Sequence, residues 1–492
     1  MTDNLENYGG SRLLEGLSGY TSLHLDQLNF LVSQLVALTI AALYRTLLGP
    51  AKVSPKVRHV FGLLFGLWMS YFCFGYQALH LAGLPAACYL VILTQNPSIM
   101  HGAVLFTAIL YLSMIHLYRQ LFDDSSFGLD ISGPLMVITQ KVTSLAFSLH
   151  DGMVENDEKL TETQRSYALK KVPNLLEFFS YSLMFPSLMA GPAMFYKDYI
   201  EFIEGNSLMD LKKSTPSSKP VVVHEPNLMK VVFKKLALAI VCALVFVLFL
   251  PRFPITRLKD EDFINNTTFT YKFWYLSVAT SLVRAKYYFA WTLADAICNN
   301  AGMGWDGSSW SRYTNVDIFR FELGTSLKES IEAWNKGTNQ WLRFIVYKRS
   351  SSYSTLATFA LSAIWHGFYP GYYITFLSGA LFTFASRTMH RHLRPHFMYS
   401  SESKVLYNII TFAATRLVMV YITFPFVLLE FSGSVLIYHK LYWVFHIFAC
   451  LTLWMVPQLL PKDKMGEMIQ KNGIAIALSK AGPYSEAVGK ID

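Results

Sequence analysis

Apolar runs broken by short polar stretches recur from near one end of the chain to the other. The clearest cover residues 30–44, 60–74, 81–94, 103–122, 175–195, 236–250, 273–297, 355–365, 372–386, 409–429 and 435–460. A bilayer core takes about 20 mostly apolar residues per helical crossing. Some of these runs are shorter, and read as tilted, broken or re-entrant segments. With water absent from the hydrocarbon, backbone groups must pair within each segment, so helices are the expected form. The pattern predicts an all-α polytopic membrane protein of roughly nine to twelve crossings. It divides into a polar segment at 1–28, one membrane unit at 29–460 and a polar tail at 461–492. Two stretches read as loops: 214–220 (STPSSKP), inside a charged segment, and 301–315 (AGMGWDGSSWSRYTN), rich in Gly and Ser. The 132–151 segment is amphipathic and could lie in the membrane interface.

Composition sharpens this picture. Charged residues make up 15% of the 492 positions, and hydrophobic ones 53%. Soluble domains carry nearer a quarter charged. The first 28 residues lack a basic start followed by a short apolar core, so the first spanning helix is expected to be its own insertion signal. The net charge of +9 gathers in short loops, at Arg45, Lys52, Lys56 and Arg58 and again at Arg387, His390, Arg391, His392 and Arg394. Such loops favour the cytosolic side. Part of this charge can also meet anionic headgroups or a phosphorylated substrate. No nucleic-acid-binding module is visible. The five cysteines are scattered without metal or redox spacing, and read as small hydrophobes. Acceptor triplets for N-glycosylation begin at Asn265 and Asn266, and would mark a luminal loop if used.

Two polar constellations interrupt the apolar text. The run STLATFALSAIWH ends in His366 and is followed at once by Gly367 and Pro370. Counting back by four gives Ser362, Thr358 and Ser354, a polar strip on one helix face. A strip of this kind suits a helix facing a polar chamber. It also suits hydroxyls bonded back to their own helix and a histidine joining helices. The second constellation is IEAWNKGTNQWLR, 331–343. Read as one helix, it puts Trp334 and Trp341 on one face and Asn335 and Asn339 on another, which an interfacial aromatic belt would explain equally well.

A neutral imidazole can take a proton from an alcohol near neutral pH. A carboxamide can hold a hydroxyl, or bond the oxygen of a developing tetrahedral centre, without the cost of burying a charge. There is no G-x-S-x-G elbow, no zinc-ligand spacing and no phosphate-binding glycine loop. A base, a positioner and an apolar chamber suit direct transfer of an activated acyl group to a hydroxyl, with no metal and no covalent intermediate.

These residues also carry a family likeness. SGPLMVITQKVTSLAFSLHDG (132–152), LMAGPAMFYKDYIEFIEG (188–205), KYYFAWTLADA (286–296), WNKGTNQWLR (334–343) and LSAIWHGFYPGYY (361–373) resemble the membrane-bound O-acyltransferase family, in its lysophospholipid branch. The WHGFYPGYY and FAWTLADA forms look closest to members acting on lysophosphatidylethanolamine and lysophosphatidylserine. The resemblance implies a helical fold of the endoplasmic reticulum membrane around a deep chamber. Acyl-coenzyme A, a co-substrate rather than a bound cofactor, would come from the cytosolic side; the lysophospholipid would come from the lumen or the bilayer. The family's histidine falls on His366 and its asparagine on Asn335, the first after Trp334, rather than Asn339. Trp334, Thr338, Asn339, Ser362, Trp365 and Tyr372 are the expected chamber lining.

Other readings stay open. The acceptor could be a protein, a peptide or a neutral lipid, or the chain could be a lipid transporter with His366 on its path. Glu177, Asp295, Arg416 and Glu430, in or beside apolar runs, are each expected to have a partner, because unpaired charges in hydrocarbon are costly.

Overall fold

The computed structural model describes residues 8–21, 23–122, 130–206, 227–350 and 353–460. The tail at 461–492 and the loop at 214–220 lie outside the described residues. Every regular element among the described residues is a helix.

Five stretches are long and apolar enough to cross a bilayer: Leu25–Leu47, Pro55–Thr94, Pro97–Phe122, Leu228–Lys259 and Ser401–Leu428. A sixth follows if the bent pair Phe431–Lys440 and Val444–Leu459 counts as one. That is fewer than the runs in the sequence suggested. The 60–74 and 81–94 runs count together as one 40-residue stretch, Pro55–Thr94, in which Gly75 at φ +56° and the 3-10 turn Gly75–Ala78 separate two α-helices. The 435–460 run bends by 76° around Tyr442 and Trp443, both in left-handed backbone conformations. The long helices Phe269–Asn300 and Pro370–His392 are more polar: the first buries Thr280, Thr292, Asp295 and Asn299, and the second turns Thr375, Thr383, Ser386 and Arg387 to an internal cavity. The spanning helices face outward with apolar rows such as Phe233, Ile240, Leu244, Val247 and Leu248, all exposed. Surfaces of this size are unfavourable in water and at home in lipid.

The 175–195 run is not one crossing. It forms the helix Leu175–Ser182 and a single turn, Phe185–Leu188, then continues without regular structure to the next helix at Tyr196. Pro186 and Pro192 cannot serve a continuous helix. Irregular backbone at membrane depth survives only where protein surrounds it. Accordingly Met184, Phe185, Pro186 and Leu188 are all buried.

A larger departure concerns Ser132–Met153. The amphipathic pattern allowed an interfacial helix; the structure makes it the central one, buried on nearly every side and packed on Pro97–Phe122 and Leu79–Thr94. Its polar groups are consumed inside the protein. Lys141 donates to Tyr181 O at 3.1 Å and Ser187 Oγ at 2.9 Å. Gln140 Nε2 donates to Thr338 Oγ1 at 2.7 Å, and Thr143 Oγ1 accepts from Trp341 Nε1 at 2.9 Å. Asp151, fully buried, receives both arms of Arg349 at 2.7 and 2.6 Å. Exposed to lipid, these groups would be unpaired. Removing one partner of such a pair leaves a buried charge alone, so Arg349→Ala is expected to cost about 3–5 kcal/mol. The check is the unfolding midpoint of the detergent-solubilised protein, and an unshifted midpoint would contradict this role.

The isolated ionisable groups are likewise paired. Asp295 meets Lys235 at 2.6 Å. Glu430 pairs with Lys259. Arg416 donates to Phe321 O at 2.6 Å, and Glu177 closes a capping box with Asn174.

Contacts sort the loops into two ends. Arg45 Nε donates to Asn300 O, Arg58 to Phe202 O and Ile203 O, Arg312 to Asp198, and Lys348 to Thr163. Arg387 reaches Thr355, close after Lys348 in the chain. The two basic clusters therefore share one end. At the other end Lys440 donates to Asn265 Oδ1, and Gly371 N to Leu429 O.

Candidate active site

The helix Ser354–His366 stops at His366 because Gly367 takes φ +114°, a conformation that side chains resist. Pro370, with its preset φ, then starts Pro370–His392. Gly371 allows that start to press against the end of Ser401–Leu428, where an added Cβ would lie 2.1 Å from Pro425 O. HGFYPG is thus a stop and a restart, and it leaves an imidazole at the tip of one helix beside the beginning of the next.

The imidazole is held by rings. Phe376 stacks on it at 5.1 Å between centroids, Phe426 meets it edge-on at 5.0 Å, and Trp365 and Tyr372 lie 4.7 and 5.6 Å away. No hydrogen bond from a described residue engages its ring nitrogens, and the half-buried ring lines a cavity of about 1320 Å³.

Asn335 lines the same cavity. Its surroundings differ from the continuous helix that the 331–343 pattern allowed. Leu327–Ala333 ends before Trp334, Asn335 adopts a left-handed conformation (φ 43°, ψ 57°), and Lys336–Leu342 begins anew. Asparagine is one of the few residues that tolerates this backbone region. The break sends the two tryptophans apart. Trp334 packs among Tyr287, Tyr288, Trp291 and Phe321, while Trp341 packs on Trp365. It also separates the asparagines. Asn339 Nδ2 donates to Ile331 O and Trp334 O, both at 2.7 Å, closing off the preceding helix. The Asn335 side chain caps no backbone amide and takes no hydrogen bond from a described residue. Of the two carboxamides, only that of Asn335 is uncommitted.

The residues expected to line the chamber divide into two groups. Trp334, Thr338, Asn339 and Ser362 lie on the cavity wall. Trp365 and Tyr372 do not: they stand behind the imidazole, and Trp365 Nε1 is spent on Met136 O at 3.1 Å. Thr358 lines the cavity although its hydroxyl bonds back to Ser354 O, and Thr355 replaces Ser354 at the far end of the strip. Gln140 and Lys141 do not reach the cavity wall and are occupied in the core. Sequence reasoning missed Asn315, whose loop looked like plain connection.

The cavity is basic. Arg284, Arg312, Lys328, Lys336, Arg343, Lys348, Arg387 and Arg391 line it, while among the described residues its carboxylates are Asp198 and Glu332. Asp198 is already paired with Arg312 at 2.5 Å. Thr355, which accepts from Arg387 at 2.9 Å, lies about 16 Å from His366 along their helix. The site is therefore a long chamber with a basic end, a mostly apolar wall and an unengaged imidazole and carboxamide on its lining.

Comparison with known proteins agrees with that geometry. Residues 115–429 match the membrane-bound O-acyltransferase family, an interval that contains the central helix, Asn335, His366 and every residue of the ring cage. The chain is 48% identical to lysophospholipid acyltransferase 6 of Drosophila melanogaster, over 98% of this chain and 68% of the relative. It is 40% identical to membrane-bound glycerophospholipid O-acyltransferase 1 of Mus musculus, over 91% of this chain and 93% of the relative. With the lysophospholipid acyltransferase of Schizosaccharomyces pombe the identity is 31%, over 89% and 88%. A polytopic helical protein whose family match spans its whole chamber, with relatives aligned over about nine-tenths or more of this chain, is an O-acyltransferase and belongs to the membrane-bound O-acyltransferase family.

Proposed function

We propose that the protein transfers a fatty acyl group from acyl-coenzyme A to the free glycerol hydroxyl of a lysophospholipid, with His366 as general base and Asn335 as oxygen positioner. The carrying observation is that an imidazole and a carboxamide, each free of described hydrogen-bond partners, face one chamber. The relatives named for lysophospholipid or glycerophospholipid acylation support the acceptor class. The WHGFYPGYY form favours an ethanolamine or serine headgroup, and the sn-2 hydroxyl is the expected acceptor position.

In the reaction the hydroxyl proton passes to a ring nitrogen of His366 as the oxygen attacks the thioester carbonyl carbon. The carbonyl oxygen gains charge, and the Asn335 amide donates to it. Collapse restores the carbonyl and breaks the C–S bond. The departing sulfur takes the proton from the imidazolium, leaving coenzyme A and the new ester. A thioester is reactive enough that no acyl-enzyme is needed. The basic end suits the phosphates of coenzyme A, and its separation from His366 suits the intervening pantetheine arm.

Mixed-acceptor assays test the reading. Membranes carrying the protein, given labelled acyl-coenzyme A with lysophospholipids, diacylglycerol, sterol and an acceptor peptide together, are expected to label phospholipid. Label confined to sterol, diacylglycerol or peptide would overturn the acceptor class.

The endoplasmic reticulum is the proposed location, with the basic end in the cytosol. In a Cys450→Ser background, Lys52→Cys should react with an impermeant maleimide in sealed microsomes, and Asn265→Cys only after permeabilisation. The reverse pattern would invert the orientation.

A further inference from the structure

We infer that Asn315 is a positioning residue for the reaction: it caps the helix that begins after Asn335, and so leaves the Asn335 carboxamide free to face the chamber. This rests on the role proposed for Asn335.

The first amides of a helix have no partner within it, and an asparagine at the cap position ordinarily supplies its own side-chain oxygen to one of them. Asn335 holds that position and does not do so. The amides are satisfied from another segment. Lys336 N donates to Asn315 O at 2.8 Å, and Gly337 N donates to Asn315 Oδ1 at 2.9 Å. Because the Gly337 amide can only donate, the Asn315 carboxamide must present its oxygen there. Relieved of capping, Asn335 keeps its left-handed backbone with its carboxamide unspent.

Asn315 is itself anchored. Its neighbour Thr314 donates to Asp295 Oδ2 at 2.8 Å, and Lys235 Nζ bonds both Asp295 and Thr314. Two residues on, Asp317 N donates to Ala333 O at 3.0 Å, tying the same strand of loop to the end of the preceding helix. The break at Trp334–Asn335 is therefore gripped from outside, from a loop fastened to a buried ion pair. Asn315 is 94% buried by the protein yet borders the chamber, so it stands next to the group that it holds.

The experiment compares Asn315→Ala, Asn315→Asp and Asn335→Gly in the full-length purified protein, with kcat and KM measured for acyl-coenzyme A at saturating lysophospholipid. A small misplacement of a catalytic group can cost about 10²-fold, so Asn315→Ala is expected to lower kcat by roughly ten- to a hundredfold with KM little changed. Asn315→Asp keeps an oxygen for the Gly337 amide and should recover most of kcat. Wild-type kcat in Asn315→Ala would overturn the inference. So would a raised KM with kcat intact, which marks a substrate contact, or a loss in Asn315→Asp as deep as in Asn315→Ala. Should Asn315→Ala not fold, Asn315→Asp decides by itself: kcat near wild type supports the capping role, and a loss matching Asn335→Gly overturns it. If Asn335→Gly stays fully active, the reading of Asn335 falls; if it loses activity while Asn315→Ala keeps it, only the present inference falls.

Discussion

His366→Ala is expected to lower acyl transfer by about 10²- to 10⁴-fold, the usual worth of a positioned general base. Protein yield and elution profile should be unchanged. The physical case is that the ring has no hydrogen bond from a described residue to lose. It is wedged among Phe376, Phe426, Tyr372 and Trp365, and it lines the chamber. Truncation opens space beside an existing cavity, so the fold loses ring contacts and little else. His366→Gln preserves size and a hydrogen-bonding end but cannot take up a proton, and should be as inactive as alanine. Activity near wild type in His366→Gln, measured as labelled phospholipid per unit of protein, would remove the base from the mechanism while leaving a polar contact possible.

Asn335 calls for a different control, because its backbone and its side chain each do something. Its left-handed conformation costs most residues roughly 1–2 kcal/mol, so alanine there combines lost chemistry with strain. Glycine removes the strain and keeps only the chemical loss. If the carboxamide stabilises the developing oxyanion, Asn335→Gly should lose about 10²- to 10³-fold in kcat, the range for one such donor. If the residue served only to bend the chain, glycine would be tolerated, and a kcat within a few-fold of wild type would show it. Asn339→Ala is the comparison of choice: its two 2.7 Å bonds to Ile331 O and Trp334 O are structural, so its cost should appear first in stability.

Much of this was legible from the chain itself. Apolar runs such as 103–122, 236–250 and 409–429 became helices because lipid leaves a backbone no other way to pair, a constraint written in composition. The HGFYPG stop and restart is equally local, set by one glycine and one proline. Asn335 and His366 were identifiable as residues whose chemistry has no reason to sit in hydrocarbon. Where the sequence misled, the deciding partner was distant. Nothing in 132–151 announces that Gln140, Thr143 and Asp151 will meet Thr338, Trp341 and Arg349, each 198 positions away. An amphipathic helix looks the same whether its polar face meets headgroups or the interior of a protein.

The sequence by itself therefore determined the solvent, the helical class and the two polar side chains proposed to react, because hydrophobic period, turn chemistry and functional-group identity are properties of residues and near neighbours. Only the tertiary structure decided which helix became the centre, which asparagine was left unspent, and that Trp365 and Tyr372 back the imidazole instead of lining the chamber. Those outcomes depend on hydrogen bonds and ring contacts between segments far apart in the chain, and such pairings are settled when competing partners meet in space.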